Sequence, residues 1–345
     1  MILGTGPTLA CDAMRPGSQS LGRDNPWAGR RCWTVRTMPM QITTRHRGLL
    51  AVALASLLAL PGLAHAGPGD LYAANYNSNT IERFTPGGVA SVFASTGLSG
   101  PYGLAFDASG NLYAANFDNS TIERFTPGGA ASVFASTGLT SPNGPAFDAS
   151  GNLYVANYYN STIERFTPGG AASVFASTGV SAPAALAFDA SGNLYVTNDA
   201  NNTIERFTPG GAASVFASTG LSNPNGLAFD ASGNLYAANY NTNTIERFTP
   251  GGAASVFAST GLSSPVGLAF DASGNLYAAN YHTNTIERFT PGGTASVFAS
   301  TGLDQPTFLA FEPGVAAAAV PEPASLAVLG LGLGVLGLLR LRRAG

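Results

Sequence analysis

The sequence predicts an all-β protein, a six-bladed β-propeller. Two observations carry this. The tripeptide Leu-Tyr-x begins at Leu71, Leu112, Leu153, Leu194, Leu235 and Leu276, a step of 41 residues each time. A fixed period of about 40 to 50 residues marks a propeller, solenoid or array. Each period also splits into four short runs rich in aromatic and β-branched residues, separated by Gly/Pro turns. Four strands per unit make a propeller blade. An open β-solenoid is the alternative.

The unit from Gly103 shows the elements in order. The predicted strands are GLAFD (Gly103 to Asp107), NLYAAN (Asn111 to Asn116), TIERF (Thr121 to Phe125) and ASVFA (Ala131 to Ala135). Aromatic and β-branched side chains suit pleated, packed positions. Asp107-Ala108-Ser109-Gly110 reads as an Asx-type turn with Gly at positive φ, a hairpin with a bulge. Thr126-Pro127-Gly128-Gly129 has Pro second and Gly third, the signature of a type II turn. No helix-period stretch lies inside the repeats.

The array opens on Asp70-Leu71-Tyr72, a second strand without a first. It closes on Phe308-Leu309-Ala310-Phe311-Glu312, a first strand without a second. The two halves are expected to complete one mixed blade, which removes an open edge.

The repeats contain no tryptophan, since Trp27 and Trp33 lie upstream, and this disfavours a WD-type propeller. The units resemble NHL repeats in Gly226-Leu227-Ala228-Phe229-Asp230, Gly233-Asn234-Leu235-Tyr236 and Asn243-Thr244-Ile245-Glu246-Arg247-Phe248. The resemblance covers all six units and implies the fold more than an activity. Six-bladed proteins of this kind include lactonases, a streptogramin lyase and plain binding scaffolds.

Composition shifts at both ends. Arg45-His46-Arg47, an apolar run from Gly48 to Leu63 and Ala64-His65-Ala66 form the n-region, h-region and small-x-small site of a secretory signal. Met38 or Met40 would begin a signal of ordinary length. Residues 1–37 then read as an over-extended start or an unstructured leader, 38–66 as the signal peptide and 67–314 as the propeller. Both cysteines, Cys11 and Cys32, precede the repeats, so the repeats offer neither a disulfide nor a thiolate metal site. A small-residue linker, 315–320, leads to a tail at 321–345.

That tail has three parts: Pro321-Glu322-Pro323, a 16-residue apolar run from Ala324 to Leu339, and Arg340, Arg342 and Arg343. A 16-residue helix reaches about 24 Å, short of a hydrocarbon core of about 30 Å. The plain reading is a membrane anchor with its arginines on the cytoplasmic side. The tail also resembles a PEP-CTERM sorting signal. That resemblance implies a Gram-negative host, transient inner-membrane anchoring through the apolar helix, and cutting near Pro323 by an exosortase. Signal peptidase would cut after Ala66. The product would reach the cell surface or extracellular matrix.

Between residues 67 and 319 there are 6 Arg, 9 Asp, 7 Glu and no Lys, a net charge of −10. So acidic a domain argues against nucleic acid and anionic lipid as partners.

Three repeated polar sets are candidates for chemistry. Glu82-Arg83 recurs to Glu287-Arg288. Neighbouring strand residues face opposite ways, so Arg of one blade is expected to meet Glu of the next. A charged binding belt is the alternative. Asp107, Asp148, Asp189, Asp230, Asp271 and Glu312 end the first strands. They would cap turns or, as a ring of carboxylates, hold Ca²⁺. Asn75, Asn116, Asn157, Asn198, Asn239 and Asn280 end the second strands and would cap the loop that follows. His282 is the one histidine of the repeats, too few for the His-rich zinc site of a lyase. Neither a catalytic residue nor a resident metal or other cofactor is assigned, because near-identical blades supply equal residues where a catalytic site needs different ones.

The first–second and third–fourth turns share one face of a propeller and hardly vary. The opposite face varies, and loops on a rigid scaffold carry function. There the expected binding face consists of Tyr76, Tyr102, Phe117, Asn143, Tyr158, Asn225, Tyr240 and Tyr281. Aromatics and carboxamides suit a polysaccharide or another surface protein. The functional expectation is an exported, non-catalytic binding propeller. The alternative is a metal-dependent lactonase-like hydrolase or a streptogramin-lyase-like enzyme.

Overall fold

The computed structural model describes residues 69–313. Within them lie 24 strands in six four-stranded antiparallel sheets, a six-bladed β-propeller. The expectations for the leader, signal peptide, linker and tail fall outside the described residues.

The inner strands are Pro101–Phe106, Pro142–Phe147, Pro183–Phe188, Pro224–Phe229, Pro265–Phe270 and Pro306–Phe311, each packed against the next around the axis. Outside each come an LYxxN strand, a TIERF strand and an ASVFA strand. Blade one is the mixed blade. Its inner strand Pro306–Phe311 pairs antiparallel with Leu71–Asn75, placing Leu71 opposite Phe311 and Ala73 opposite Leu309. The blades that begin at Pro101, Pro142, Pro183, Pro224 and Pro265 are two to six. Closure therefore joins the two chain halves by a full strand pair, as the half-units predict.

The core lies between blades. At the junction of blades two and three, Tyr113 and Ile122 pack on Leu153 and Phe166. Tyr113 sits edge-on between Phe134 and Phe147, both at 5.0 Å. The same Tyr–Phe–Phe packing recurs round the ring. Burial of such side chains stabilises by about 1.5 to 3 kcal/mol each. The outer strands face water, and their central valines are about 60 % exposed (Val215 60 %).

The expected Arg–Glu contacts are absent. Among the described residues the one ion pair within 4.0 Å joins Arg83 Nε to Asp70 Oδ2 at 3.7 Å. The register explains this. Arg124 stands opposite Tyr113, near the DASG turn, while Glu123 stands opposite Ala114, one rung further off. The guanidinium leans to the Tyr113 hydroxyl. The glutamates lie beside Gly97, Gly138 and their equivalents at the other end of the interface. Each glutamate is about 5 % exposed, and burial pushes its carboxyl above the usual range.

The TPGG turn also departs from expectation. Gly129 N–H donates to Thr126 O at 2.8 Å, but positive φ falls on Gly129 (82°) and not on Gly128. A type II turn needs it at the third residue. This is a type I turn followed by a left-handed glycine, the three-residue hairpin with a G1 bulge.

Candidate functional site

The five aspartates and six asparagines have structural partners, while the sixth first-strand acid, Glu312, has a buried Oε2 with no hydrogen-bond partner. Asp107 Oδ1 accepts from the Ser109 and Asn111 amides at 2.8 and 2.9 Å, and Oδ2 from Asn111 Nδ2 at 2.8 Å. Asp148, Asp189, Asp230 and Asp271 repeat the arrangement. They cap their turns. The asparagines close the loop that follows and also reach back to the linker before them. Asn116 Nδ2 donates back to Gly97 O at 2.9 Å and across the hairpin to Thr121 Oγ1 at 3.0 Å, and Oδ1 accepts from the Ser99 amide. They fasten the blade-linking segment. Among the described residues no group of three or more His, Cys, Asp or Glu is placed to hold a metal ion.

The predicted binding residues come together at the opposite mouth of the ring. Tyr102, Phe117, Asn143, Tyr158, Asn225, Tyr240 and Tyr281 line one cup of about 280 Å³, joined by Tyr159, Asp199 and Asn223. Tyr76 stands on its rim, with ring centroids 6.0 Å from Tyr102 and 6.5 Å from Phe117.

The local sequence explains the placement. In each blade the short loop between the LYxxN and TIERF strands ends on a residue at positive φ, such as Ser120 (56°) or Asn202 (56°). Its side chain accepts from the next blade's linker, as Asn202 Oδ1 does from the Asn223 amide at 2.6 Å. The loop is thereby held, and its first residue stands at the mouth. The residue after the linking proline points at the axis. Ala184, Val266 and Thr307 are wholly buried there, whereas Asn143 (2 %) and Asn225 (5 %) reach the cup.

Next to Tyr102 of the cup lies a ring that sequence reasoning missed. Successive inner strands carry Gly103, Gly144, Ala185, Gly226 and Gly267 at one register, and the sixth carries Phe308. A Cβ on Gly144 would come 2.8 Å from Phe308 Cε1. The glycine leaves room for a ring that crosses the channel, and Tyr102 packs on that ring at 5.9 Å. The break in a run of small residues was the available signal.

Hydroxyls on the rim are tied to the next blade. Tyr158 Oη donates to Asp199 Oδ2 at 2.7 Å. Burial and that bond push the Tyr158 hydroxyl up to about 12, and burial raises the Asp199 carboxyl as well. Burial also raises Tyr102. Tyr240 Oη lies 3.4 Å from His282 Nε2, so the lone histidine of the repeats is on this rim, exposed.

The virginiamycin B lyase family matches residues 93–308, more than half of the chain. The chain belongs to that family. Solved structures with the same fold include the nidogen/laminin complex, at 24 % identity and TM-score 0.65, covering 71 % of this chain and 98 % of that one. A catalytically inactive histidine-to-alanine virginiamycin B lyase from Staphylococcus aureus with quinupristin matches at 18 % and 0.55, covering 73 % and 94 %. A putative gluconolactonase matches at 20 % and 0.55, covering 66 % and 86 %. No curated protein matches the sequence. This member of the virginiamycin B lyase family thus shares its fold with a binding complex and with enzymes. Its mouth supplies aromatic rings, carboxamides, one half-buried carboxyl and one histidine.

Proposed function

We propose that this chain is an exported, non-catalytic binding propeller of the cell surface or extracellular matrix. It receives a projecting group of a polysaccharide or surface protein in the cup. The observation that carries the reading is the convergence of Tyr102, Phe117, Asn143, Tyr158, Asn225, Tyr240 and Tyr281 on one cavity. Concave, largely aromatic sites with a few placed polar groups are the usual form of ligand pockets. Export rests on Ala64-His65-Ala66, and exosortase processing in a Gram-negative host rests on the Pro321-Glu322-Pro323 tail with its arginines. A glycan and surface-protein binding screen tests the cup. Ligands should be found whose binding is lost when Phe117 and Tyr240 are changed to alanine with folding intact. Intact-mass measurement tests processing. Secreted protein should begin at Gly67 and lack Arg340 to Gly345.

A second reading is lyase or hydrolase chemistry at the same mouth. It is favoured by the family match and by His282 beside the Tyr240 hydroxyl at 3.4 Å. Turnover of quinupristin or of a lactone, abolished by His282→Ala, would establish it and displace the binding reading.

A further inference from the structure

The cup holds two open acceptors beside its rings. Asn143 is 2 % exposed, and its Oδ1 is buried with no hydrogen-bond partner. A buried acceptor left open in a native fold calls for an explanation. One Asp199 oxygen accepts from Tyr158, and the other makes no hydrogen bond among the described residues. The hydroxyls of Tyr158, Tyr240 and Tyr281 are engaged with Asp199, His282 and Gln305. What remains for a ligand is largely ring surface, and aromatic faces attract cations.

Charge along the axis agrees. All six arginines of the described residues stand opposite the tyrosines, five near the DASG turns and Arg83 near Asp70, and none lines the cup. The mouth end carries Asp118, Asp199, Asp304 and the six buried glutamates. A concave site of one sign concentrates ligands of the other.

We propose that the cup selects a glycosyl unit bearing a protonated primary amine. This rests on the cup being the binding face. The ammonium group sits among the rings and donates to Asp199 and Asn143 Oδ1. The pyranose stacks on the aromatic wall, and its hydroxyls meet the carboxamides of Asn143 and Asn225, whose side chains make no hydrogen bonds within the described residues. A lysine side chain would bring the charge but nothing for those carboxamides to bind. An acidic sugar would bring its charge beside Asp199, the one charged residue of the lining.

The test is calorimetric titration of the purified chain with a glucosamine oligomer and with its N-acetylated counterpart, in mildly acidic buffer that keeps the amine charged. The free-amine oligomer should bind about tenfold more tightly or better. Its advantage should shrink with added salt. Asp199→Asn should remove most of the preference, and Phe117→Ala with Tyr240→Ala should weaken both oligomers, with unchanged thermal unfolding. Equal binding, or preference for the N-acetylated oligomer, overturns the inference. The cup reading then stands if the aromatic variants still lose that binding. Free-amine binding indifferent to all three substitutions lies elsewhere on the protein and overturns both. Binding of neither oligomer, or equal binding of a lysyl peptide, overturns the inference.

Discussion

Tyr158 Oη donates to Asp199 Oδ2 at 2.7 Å, a bond that spans from blade three to blade four across the edge of the cup. Related ties run round the rim. Tyr76 Oη reaches Asp118 Oδ1 at 3.1 Å, and Tyr281 Oη reaches Gln305 Oε1 at 2.9 Å. Each anchors a ring to the neighbouring blade, so the wall is ordered before any ligand arrives. Preorganised side chains reduce the entropy lost on binding.

The tie predicts a titration. The Tyr158 hydroxyl lowers the Asp199 carboxyl against the larger, raising effect of burial. Tyr158→Phe should therefore raise the Asp199 value further. Carboxyl carbon NMR across the acid range reads this directly. An unchanged or lowered value would show that the bond does not form in solution.

The DASG and TPGG turns give a second prediction. Positive φ at Gly129 (82°), with Gly128 in an ordinary conformation, means that the two glycines differ in tolerance. Gly129→Ala should cost about 1 kcal/mol, the usual penalty for a left-handed alanine, and Gly128→Ala close to nothing. Denaturant unfolding of the two variants decides. The reverse order would restore the type II turn.

These cases show what was legible in the sequence and what was not. Local and periodic features were: the 41-residue step, the turn-capping aspartates and the half-units that pair Leu71 with Phe311. So were seven of the residues that line the mouth, because they belong to the varying part of a repeated unit, whereas Tyr159, Asp199 and Asn223 were not. Contacts set by one rung of register were not. Arg124 and Glu164 face the same interface, yet one lies by the DASG end and the other by Gly138. The carboxyl of Asp199 reads as an ordinary loop acid until Tyr158 is beside it. Phe308 was visible only as one exception in a series of small residues, and its role depends on what lies across the axis.

Phe308 supplies the third prediction. It is 8 % exposed and packs with Val266, Leu227 and Ala185 as well as Tyr102. Phe308→Ala should cost about 3 to 5 kcal/mol, the range for removing a buried phenylalanine. It should also open space beside Tyr102, because the Phe308 ring packs there and reaches toward Gly144. Unfolding measurements and a crystal structure would check the two effects. A loss under about 1 kcal/mol would show that the surrounding chain collapses onto the gap.

The last prediction concerns the seam where the ring closes. In five blades the position after the inner strand is Asp and the position before the LYxxN strand is Asn, bonded side chain to side chain, as in Asn111 Nδ2 to Asp107 Oδ2 at 2.8 Å. In the mixed blade these positions hold Glu312 and Asp70, two acids, although their backbones still pair through the Glu312 amide and Asp70 O at 3.0 Å. Glu312 Oε2 is buried without a hydrogen-bond partner. Burial, then the Asp70 charge, pushes the Glu312 carboxyl up to about 7, against the lowering effect of Arg83. A carboxyl raised in the folded state binds its proton more tightly there than in the unfolded chain. Its stabilising contribution is therefore complete below the unfolded value of 4.5 and is lost as pH rises from there through about 7. Glu312 is partly exposed, so solvent screening reduces the effect to on the order of 1 kcal/mol. The six buried glutamates shift in the same direction, so the informative quantity is a difference between proteins. Asp70→Asn restores the pairing of the other blades and should flatten the loss of stability between acidic and mildly alkaline buffer. Denaturant midpoints for the two proteins across that range measure it. An identical pH dependence for wild type and Asp70→Asn would show that the acid pair does not govern the seam.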